Sequence, residues 1–270
     1  MKSRAFLKWA GGKYKLVEQI AERLPKSDRL IEPFVGAGSV FLNTDFSEYL
    51  LSDINPDLIG LYQTLQRDPD GYIREAKKWF TAENNDKETY YGIRAEFNQT
   101  HERWGRAVLF LYLNRFGYNG LCRYNKSGGF NVPFGSYKKP YFPEKELWFF
   151  AEKAQKATFF CEGYADSMAR ARSGDAVYCD PPYLPLSTTA NFTSYASGGF
   201  SLDDQALLAR GAHEIAQEQG ATVLISNHDT PLAQELYHAA QLESLKVTRS
   251  ISPKASGRKK VDELFALYRR

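Results

Sequence analysis

Short apolar segments compatible with buried β-strands recur along the chain between segments of helical periodicity, and this alternation constrains the fold more than any other feature. Two such segments lie near the amino terminus, at residues 29–34 and 49–53. Three more follow in the second half, at residues 158–161, 176–179 and 222–226. Because strands that alternate with helices form parallel sheets, we predict an α/β fold around a parallel sheet.

The alternation is interrupted after Asp53, where helical periodicity continues for about ninety residues. The pair Asn55-Pro56 is typical of a helix start, and residues 106–116 carry apolar side chains on several faces. At 270 residues the chain lies near the length at which one domain divides into two. We therefore predict a discontinuous domain of residues 1–55 and 145–270 with a mainly helical domain inserted at residues 56–144.

The remaining connections are simpler. We predict one helix between the first two strands and another over residues 202–219, between the last two. Residues 187–199 are rich in Ser, Thr, Gly and Ala, a composition typical of a mobile loop.

Several classes of protein are disfavoured by composition. The longest apolar run, residues 107–113, is far shorter than the roughly 20 residues of a transmembrane helix. The apolar stretch at residues 5–7 is too short for a secretory signal, so we expect a cytoplasmic protein with no membrane contact. The cysteines have no Cys-x-x-Cys spacing, so we expect buried thiols and neither a disulfide framework nor a metal site. They are Cys122, Cys161 and Cys179.

One segment combines positive charge with aromatic side chains. Residues 103–142 contain seven Arg or Lys residues and no Asp or Glu, although the net charge of the chain is only +3. Cations contact phosphates and aromatic rings stack on bases, whereas a merely solvated surface mixes both signs of charge. The composition therefore favours nucleic-acid contact over the alternative of a helix core followed by a solvated loop.

A glycine motif at residues 34–39 follows the first strand and precedes the predicted helix, where glycines let the backbone approach a ligand. It lacks the third glycine of a dehydrogenase fingerprint and the Gly-Lys-Ser/Thr of a P-loop, which disfavours pyrophosphate and triphosphate ligands. Asp53 ends the second strand 17 residues after Gly36. Nucleotide-binding sheets hold ribose hydroxyls with an acid at this place, so we predict a ribose-containing ligand.

The most informative motif is Asp180-Pro181-Pro182-Tyr183, which follows the apolar strand at residues 176–179. An aromatic amine is a weak nucleophile, and accepting hydrogen bonds from both its protons favours the geometry that frees its lone pair. The Asp180 carboxylate and the Pro181 carbonyl are two such acceptors. Pro182 stiffens the turn and Tyr183 can stack on a base. An ordinary turn after a strand rarely combines these four residues.

At these motifs the chain is similar to a known family, the adenine-specific DNA methyltransferases of the Dam type. Residues 180–183 match its DPPY motif and residues 32–39 its glycine motif. The resemblance also includes residues 6–13, 114–123 and 225–229, and it covers essentially the whole chain. It implies a Rossmann-like methyltransferase sheet with an inserted DNA-recognition domain, S-adenosylmethionine as cofactor, double-stranded DNA as partner and a monomer in solution.

The resemblance also implies roles for single residues. Lys13 would pair with the methionine carboxylate of the cofactor, Asp53 would bind its ribose, and Tyr164 would lie near its adenine. Trp9 could otherwise be plain core. The implied cofactor-binding residues are Trp9, Lys13, Phe34, Gly36, Gly38, Asp53, Ile54, Tyr164 and Asp180. The implied catalytic residues are Asp180, Pro181, Pro182 and Tyr183.

Duplex DNA hides the adenine amino group, so the resemblance further implies base flipping, with GATC as the target and roles in DNA replication and mismatch repair. Arg123 lies in the acid-free segment without a sequence-near carboxylate, which favours a bidentate contact with guanine over a phosphate contact. The implied DNA-binding residues are Lys8, Arg115, Tyr118, Asn119, Leu121, Arg123, Asn125, Pro133, Tyr137 and Lys138.

Four alternatives stay open at this point. Methylation of cytosine more often uses Ser before Pro-Pro-Tyr, and methylation of adenine in RNA or of glutamine in protein usually uses Asn, so Asp180 favours adenine in DNA. A DNA-binding module without transfer activity is disfavoured by the intact DPPY motif. A dehydrogenase is disfavoured because the third glycine is absent.

Overall fold

The computed structural model describes residues 2–184, 199–246 and 262–270. The chain divides into two compact units. The first comprises Met1–Ala21, Val35–Asp45 and Asp53–Cys161, and the second comprises Glu22–Phe34, Phe46–Ser52 and Glu162–Arg270. The loop predicted at residues 187–199 lies outside the described residues apart from Gly199, and the predicted recognition domain at residues 56–144 stays a prediction.

The first unit is mainly helical. Its elements are α1 (Val17–Arg23), α2 (Pro56–Arg67), α3 (Pro69–Lys77), α4 (Lys87–Gln99), α5 (Arg103–Phe116), α6 (Glu144–Ala154) and β3 (Ala157–Cys161), with short 3-10 turns at Lys13–Lys15, Phe41–Asn43 and Tyr118–Gly120. Helix α2 begins as the sequence predicts: Asn55 Oδ1 accepts hydrogen bonds from the N–H groups of Asp57 and Leu58, and Pro56 occupies the first turn.

Helix α5 is the centre of this unit. It packs against α2, α3 and α4, and its apolar residues at positions 107–113 are all buried. A helix that is apolar on every side must be surrounded by other elements. The apolar pattern of residues 106–116 is therefore confirmed as a core helix.

Residues 121–143, within the segment where the sequence shows helical periodicity, form no helix. Isolated bridges join Gly117 to Phe134 and Tyr124 to Phe130 in this segment. Gly128 has a φ of 80° and Ser136 a φ of 52°, which a helix cannot accommodate. Glycines and prolines break the helical path here although the hydrophobic pattern continues.

In the second unit, six described strands pair in the order β2-β1-β4-β5-β7-β6. They are β1 (Arg29–Glu32), β2 (Glu48–Asp53), β4 (Ala176–Cys179), β5 (Thr222–His228), β6 (Gln241–Leu245) and β7 (Glu263–Tyr268). The described helices of the unit are α7 (Tyr164–Met168), α8 (Leu202–Glu214), which continues as a π-helical turn at Ile215–Gln219, and α9 (Pro231–Leu236). The mixed α/β architecture confirms the predicted fold class.

The predicted parallel sheet is confirmed for β1, β2, β4 and β5. Two strands at the end of the chain were not predicted, and they are antiparallel: β7 runs antiparallel to β5, and β6 runs antiparallel to β7. Strand β6 is mostly polar and half-exposed, so its pattern gives no strand signal.

The α-helix predicted between β1 and β2 is also wrong, because a single 3-10 turn at Phe41–Asn43 stands in its place. Gly36 and Gly38 both adopt positive φ angles, of 47° and 71°, so the backbone turns before a helix can begin. The short connection that remains before β2 then holds one helical turn and no more.

The prediction of three buried thiols is wrong for two of them. Cys179 is buried in β4, whereas Cys122 is half-buried and Cys161 is exposed. Cys122 belongs to the irregular segment after α5, and Cys161 ends β3, where the strand leaves the core.

Candidate active site

Backbone N–H groups of the first unit hold the carboxylate of Asp53, the acid that ends β2. Asp53 Oδ2 accepts the Gly36 N–H at 3.2 Å, and Asp53 Oδ1 accepts the Asn55 N–H at 3.0 Å. Burial raises the pKa of the Asp53 carboxyl, and hydrogen bonds from these backbone groups oppose that rise. The structure therefore brings together the glycine turn and the acid that the sequence pairs by spacing.

The glycine turn is closed by two aromatic side chains of the same unit. A Cβ placed on Gly36 would lie 3.0 Å from Nε1 of Trp9, so the indole covers this glycine. The Tyr62 hydroxyl donates to the Gly36 carbonyl at 2.6 Å. Trp9 is half-buried beside the turn and is not plain core. Sequence reasoning missed Tyr62, which carries no motif signal.

Two further predicted cofactor residues of the first unit differ in exposure. Lys13 is buried, and its Nζ donates to the Gly11 carbonyl at 3.0 Å. Ile54 follows Asp53 directly and is 77% exposed. A large apolar side chain so exposed beside a polar turn is suited to contact a ligand.

In the second unit, Phe34 and Tyr164 lie together. Their rings stack with centroids 5.6 Å apart, and Phe200 meets them edge-on at 5.6 and 5.3 Å. Phe200 was missed because nothing in its sequence neighbourhood marks it. The three rings form an apolar cluster suited to an aromatic ligand.

The turn after β4 carries the predicted catalytic residues. Ser226 Oγ on β5 donates to Asp180 Oδ1 at 3.4 Å and lies 2.8 Å from the Tyr178 hydroxyl. The Tyr183 hydroxyl donates to Glu263 Oε1 on β7 and lies 3.2 Å from Ser226 Oγ. Burial and the carboxylates of Asp180 and Glu263 raise the pKa of Tyr183, which keeps its hydroxyl protonated as a donor.

The backbone of this turn is held by a buried amide network. The Pro182 carbonyl accepts from Gln205 Nε2 at 2.7 Å, and the Leu184 N–H donates to Asn227 Oδ1 at 3.0 Å. Asn227 Nδ2 also donates to Gln205 Oε1 at 3.2 Å, and the Tyr237 hydroxyl donates to the same oxygen at 2.5 Å. Side chains thus reinforce the stiffness that the sequence assigned to the two prolines.

The cations of the acid-free segment divide into two groups in the first unit. Arg106 pairs through Nε with Asp57 at 2.5 Å and donates to two backbone carbonyls, so it holds the fold. Arg115 is half-buried and donates to the Tyr141 and Phe6 carbonyls, and burial lowers its pKa. Lys126, Lys138 and Lys139 are exposed.

Arg123 is exposed, and one edge of its guanidinium is oriented by Asn131. Its Nε donates to Asn131 Oδ1 at 2.7 Å and its Nη2 to the Asn131 carbonyl at 3.2 Å. Asn125 accepts the N–H groups of Ser127 and Gly129 and so shapes the neighbouring turn. The loop presents Arg123 in a defined direction.

Lys8 and the loop after α5 form a second group. Lys8 Nζ lies 3.5 Å from the centroid of the Tyr137 ring and donates to the Arg115 carbonyl at 3.0 Å. Burial and the charge of Arg115 lower the pKa of Lys8 to about 8. The Asn119 N–H donates to the Tyr137 hydroxyl at 2.9 Å, and Gly120 packs directly on Lys8.

The other predicted DNA-binding residues lie on the same loop. Tyr118 is 49% exposed, and its N–H donates to the carbonyl of Pro133, itself exposed, at 2.9 Å. Leu121 is half-buried. Sequence reasoning missed Asn55, whose Nδ2 donates to Cys122 Sγ at 3.2 Å and joins this loop to the turn after β2.

The chain is similar to a known family and to known proteins over nearly its whole length. Residues 9–251 match the family model described as D12 class N6 adenine-specific DNA methyltransferase. The chain belongs to this family. Three similar proteins bear the name DNA adenine methylase. One is from Vibrio cholerae serotype O1, with 65% identity over 99% of this chain and 96% of its own.

Two further relatives are from Escherichia coli K12, with 61% identity over 99% of this chain and 96% of its own, and from Serratia marcescens, with 58% identity over 99% of both chains. The predicted adenine-specific DNA methyltransferase activity is therefore confirmed. The cytosine, RNA, protein and dehydrogenase alternatives are excluded, as is a DNA-binding module without transfer activity.

Two negative findings concern the described residues of the methyltransferase alone. They include no group of three or more His, Cys, Asp or Glu side chains that could hold a metal ion. None of their helices has the length and apolar character needed to cross a membrane.

Proposed function

We propose that this adenine-specific DNA methyltransferase uses S-adenosylmethionine to methylate the N6 atom of adenine flipped out of double-stranded DNA, at GATC sites. The observation that carries the proposal is the fixed turn at residues 180–183, whose backbone is held by Gln205 and Asn227 and whose tyrosine is held by Glu263. Such a turn can present two hydrogen-bond acceptors in a constant direction.

On the donor side, the residues of the first unit suit S-adenosylmethionine, which supplies an activated methyl group when bound. The Asp53 carboxylate would accept hydrogen bonds from the ribose hydroxyls, since Gly36 and Asn55 already hold it in place. Lys13 would pair with the methionine carboxylate. Exposed Ile54 offers apolar contact.

The remaining proposed donor contacts are backbone and aromatic. Gly36 and Gly38 would line the cofactor in the first unit, with the Trp9 indole beside Gly36. In the second unit, stacked Phe34 and Tyr164 would contact its adenine.

On the acceptor side, the Asp180 carboxylate and the Pro181 carbonyl would each accept one proton of the adenine amino group. This favours a pyramidal nitrogen, whose lone pair then forms the new bond to the methyl carbon as the bond from carbon to the donor sulfur breaks. The donor sulfur would keep the bonding electrons and leave as a thioether, and one amino proton would pass from the nitrogen to the Asp180 carboxylate and then to water. The Tyr183 ring would stack on the base and the stiff Pro182 would keep the turn in shape.

Target recognition is proposed for the inserted domain at residues 56–144. Exposed cations of the acid-free segment would contact phosphates, and Arg123 would pair with a guanine through the guanidinium edge that Asn131 leaves open. The GATC target rests on family resemblance. The other proposed DNA contacts are Lys8, Arg115, Tyr118, Asn119, Leu121, Asn125, Pro133, Tyr137 and Lys138.

The cellular setting follows from the same proposal. An enzyme whose substrate is DNA works in the compartment that contains the chromosome, which we take to be the cytoplasm. By resemblance the enzyme would act as a monomer, and its mark would serve DNA replication and mismatch repair.

One experiment tests base, site and donor together. The purified protein is incubated with a random DNA library and S-adenosylmethionine, and the library is sequenced with direct detection of modified bases. We expect N6-methyladenine confined to GATC and dependent on S-adenosylmethionine, formed about a hundredfold or more slowly by Asp180→Ala. Methylation at another sequence would refute the GATC assignment alone, whereas transfer without S-adenosylmethionine would refute the proposed donor.

A further inference from the structure

Strand β7 carries a buried carboxylate among apolar residues. Glu263 is 0% exposed and precedes buried Leu264, Phe265 and Ala266. A buried carboxylate destabilises a fold unless hydrogen bonds compensate for the loss of water. The Tyr183 hydroxyl supplies such a hydrogen bond, so Glu263 contacts the turn proposed to hold the target base.

The register of the sheet explains how Glu263 reaches this turn. In the antiparallel pair of β5 and β7, His228 lies opposite Glu263 and Ser226 lies opposite Phe265. Residues directly opposite each other in such a pair point to the same face, and so do residues two apart in a strand. Ser226, His228 and Glu263 therefore share one face.

The Tyr183 side chain contacts all three members of this face. Its hydroxyl donates to Glu263 Oε1 and lies 3.2 Å from Ser226 Oγ, and its ring meets His228 edge-on at a centroid distance of 4.8 Å and an angle of 85°. Contacts at the hydroxyl and at the ring together fix its rotation. Ser226 also donates to Asp180, which links the ring to the acceptor carboxylate.

We propose that Glu263 is a positioning residue of the methyltransferase: it fixes the Tyr183 ring in the orientation that stacks on the flipped adenine before the base arrives. This inference rests on the role proposed above for Tyr183. A ring that is already ordered loses no rotational freedom when the base binds. Ordering one free side chain at that moment weakens the productive complex by about two- to tenfold.

The test is a double-mutant cycle between Glu263→Gln and Tyr183→Phe. The first variant keeps the size of the side chain and removes its charge, and the second removes the hydroxyl and keeps the ring. We measure the single-turnover methylation rate at saturating DNA and donor, and the fluorescence of 2-aminopurine placed at the target adenine. Each single variant should react about two- to tenfold more slowly, with an unchanged KM for DNA.

The double variant shows whether Glu263 affects the methylation rate through the Tyr183 hydroxyl. If Glu263 acts through the Tyr183 hydroxyl, Glu263→Gln adds no further loss of rate in the Tyr183→Phe background. Glu263→Ala should lower the rate more than Glu263→Gln, which retains an acceptor oxygen. The matched control is Glu243→Gln on the adjacent strand β6, whose exposed carboxylate pairs with Arg23. This control should react at the wild-type rate.

Two results would overturn the inference: wild-type rate for folded Glu263→Gln, or an equal loss of rate with and without the Tyr183 hydroxyl. If Glu263→Ala does not fold, the double-mutant cycle of Glu263→Gln and Tyr183→Phe still tests the inference. A wild-type enzyme that methylates GATC without a rise in 2-aminopurine fluorescence would instead refute base flipping, which separates failure of the proposed function from failure of the role of Glu263.

Discussion

Two acids at the ends of parallel strands of this methyltransferase are held in different ways. Asp53, at the end of β2, accepts hydrogen bonds from the backbone of Gly36 and Asn55. Asp180, directly after β4, accepts from the side chain of Ser226, which lies 46 residues away in the chain. Backbone N–H donors survive every substitution except one by proline, whereas a side-chain donor is lost when its residue is replaced. The proposed acceptor site should therefore be more sensitive to remote mutations than the proposed cofactor site.

The largest difference is expected from removal of the acids themselves. Asp180→Ala should lower the methylation rate about a hundredfold or more, because the proposed acceptor would act mainly as the amine becomes pyramidal. DNA affinity and folding should remain, since the turn is held by the amide network around Gln205 and Asn227. Single-turnover kinetics and thermal unfolding check both statements. A folded variant with half the wild-type turnover would show that another group accepts the amino protons.

Asp53→Ala should act on binding instead of chemistry. The buried ribose hydroxyls would lose a charged acceptor, so donor affinity should fall by about 1.5 to 3 kcal/mol while the rate at saturating donor changes little. Calorimetric titration with S-adenosylmethionine measures the affinity. Asp45→Ala is the matched control, because the Asp45 side chain is 92% exposed and should not affect binding. Equal affinities for Asp53→Ala and this control would exclude the ribose role.

Arg123 provides a third kind of support, an exposed side chain oriented by one neighbour. Arg123→Ala should lower kcat/KM at GATC by the equivalent of about 1 to 3 kcal/mol of transition-state stabilisation. It should also relax discrimination at one base pair. Rates on GATC and on each single-substitution site, at several salt concentrations, measure both effects. Exposed Lys126→Ala is the comparison variant, expected to weaken all sites alike. If Arg123→Ala weakens methylation equally at all sites and shows a shallower salt dependence, Arg123 contacts a DNA phosphate and does not read a base.

The difference between the two acids also explains which parts of the site the sequence could predict. The spacing of Gly36 and Asp53 was sufficient, because strand ends of a parallel sheet and backbone hydrogen bonds follow from local pattern. Glu263 was missed because it reaches Tyr183, 80 residues earlier, through an antiparallel pairing that the alternation of strands and helices does not predict. Ser226 and Asn227 lay in a segment already matched to the family, but without an assigned role.

For the segment proposed to contact DNA, residues 103–142, composition gave a coarser prediction. The sequence has seven cations between residues 103 and 142, but their charge alone does not show which of them already bind a carboxylate or carbonyl of the protein. Arg106 is occupied by Asp57, and Arg115 by backbone carbonyls. Glycines and prolines ended the helical structure after α5 where the apolar pattern continued. Local breakers, and not hydrophobicity, decided the conformation there.

The raised pKa of Asp53 allows its proposed role in cofactor binding to be tested by varying the pH. Because the carboxylate form of Asp53 would accept from the ribose in the proposed complex, affinity for S-adenosylmethionine should fall as pH drops through that pKa, at a higher pH than for an ordinary aspartate. The sign for stability is opposite, since the folded protein holds this proton more tightly than the unfolded chain and loses stability as pH rises through the same range. Calorimetry across pH should show a flat profile for Asp53→Asn. A pH dependence that persists in this variant would assign the titration elsewhere.

The smallest effect is expected from Tyr62→Phe, which tests how far backbone support alone maintains the cofactor site. The variant removes the hydroxyl that donates to the Gly36 carbonyl at 2.6 Å but keeps the buried ring. Since Gly36 is half-exposed, water can replace the lost donor, and the free energy of unfolding should fall by only about 1 kcal/mol. The affinity for S-adenosylmethionine should change less than about threefold, because Asp53 still accepts hydrogen bonds from the Gly36 and Asn55 N–H groups. Denaturant unfolding and calorimetry measure the two quantities. A loss of affinity as large as that of Asp53→Ala would show that a side chain, and not the local backbone, holds this site.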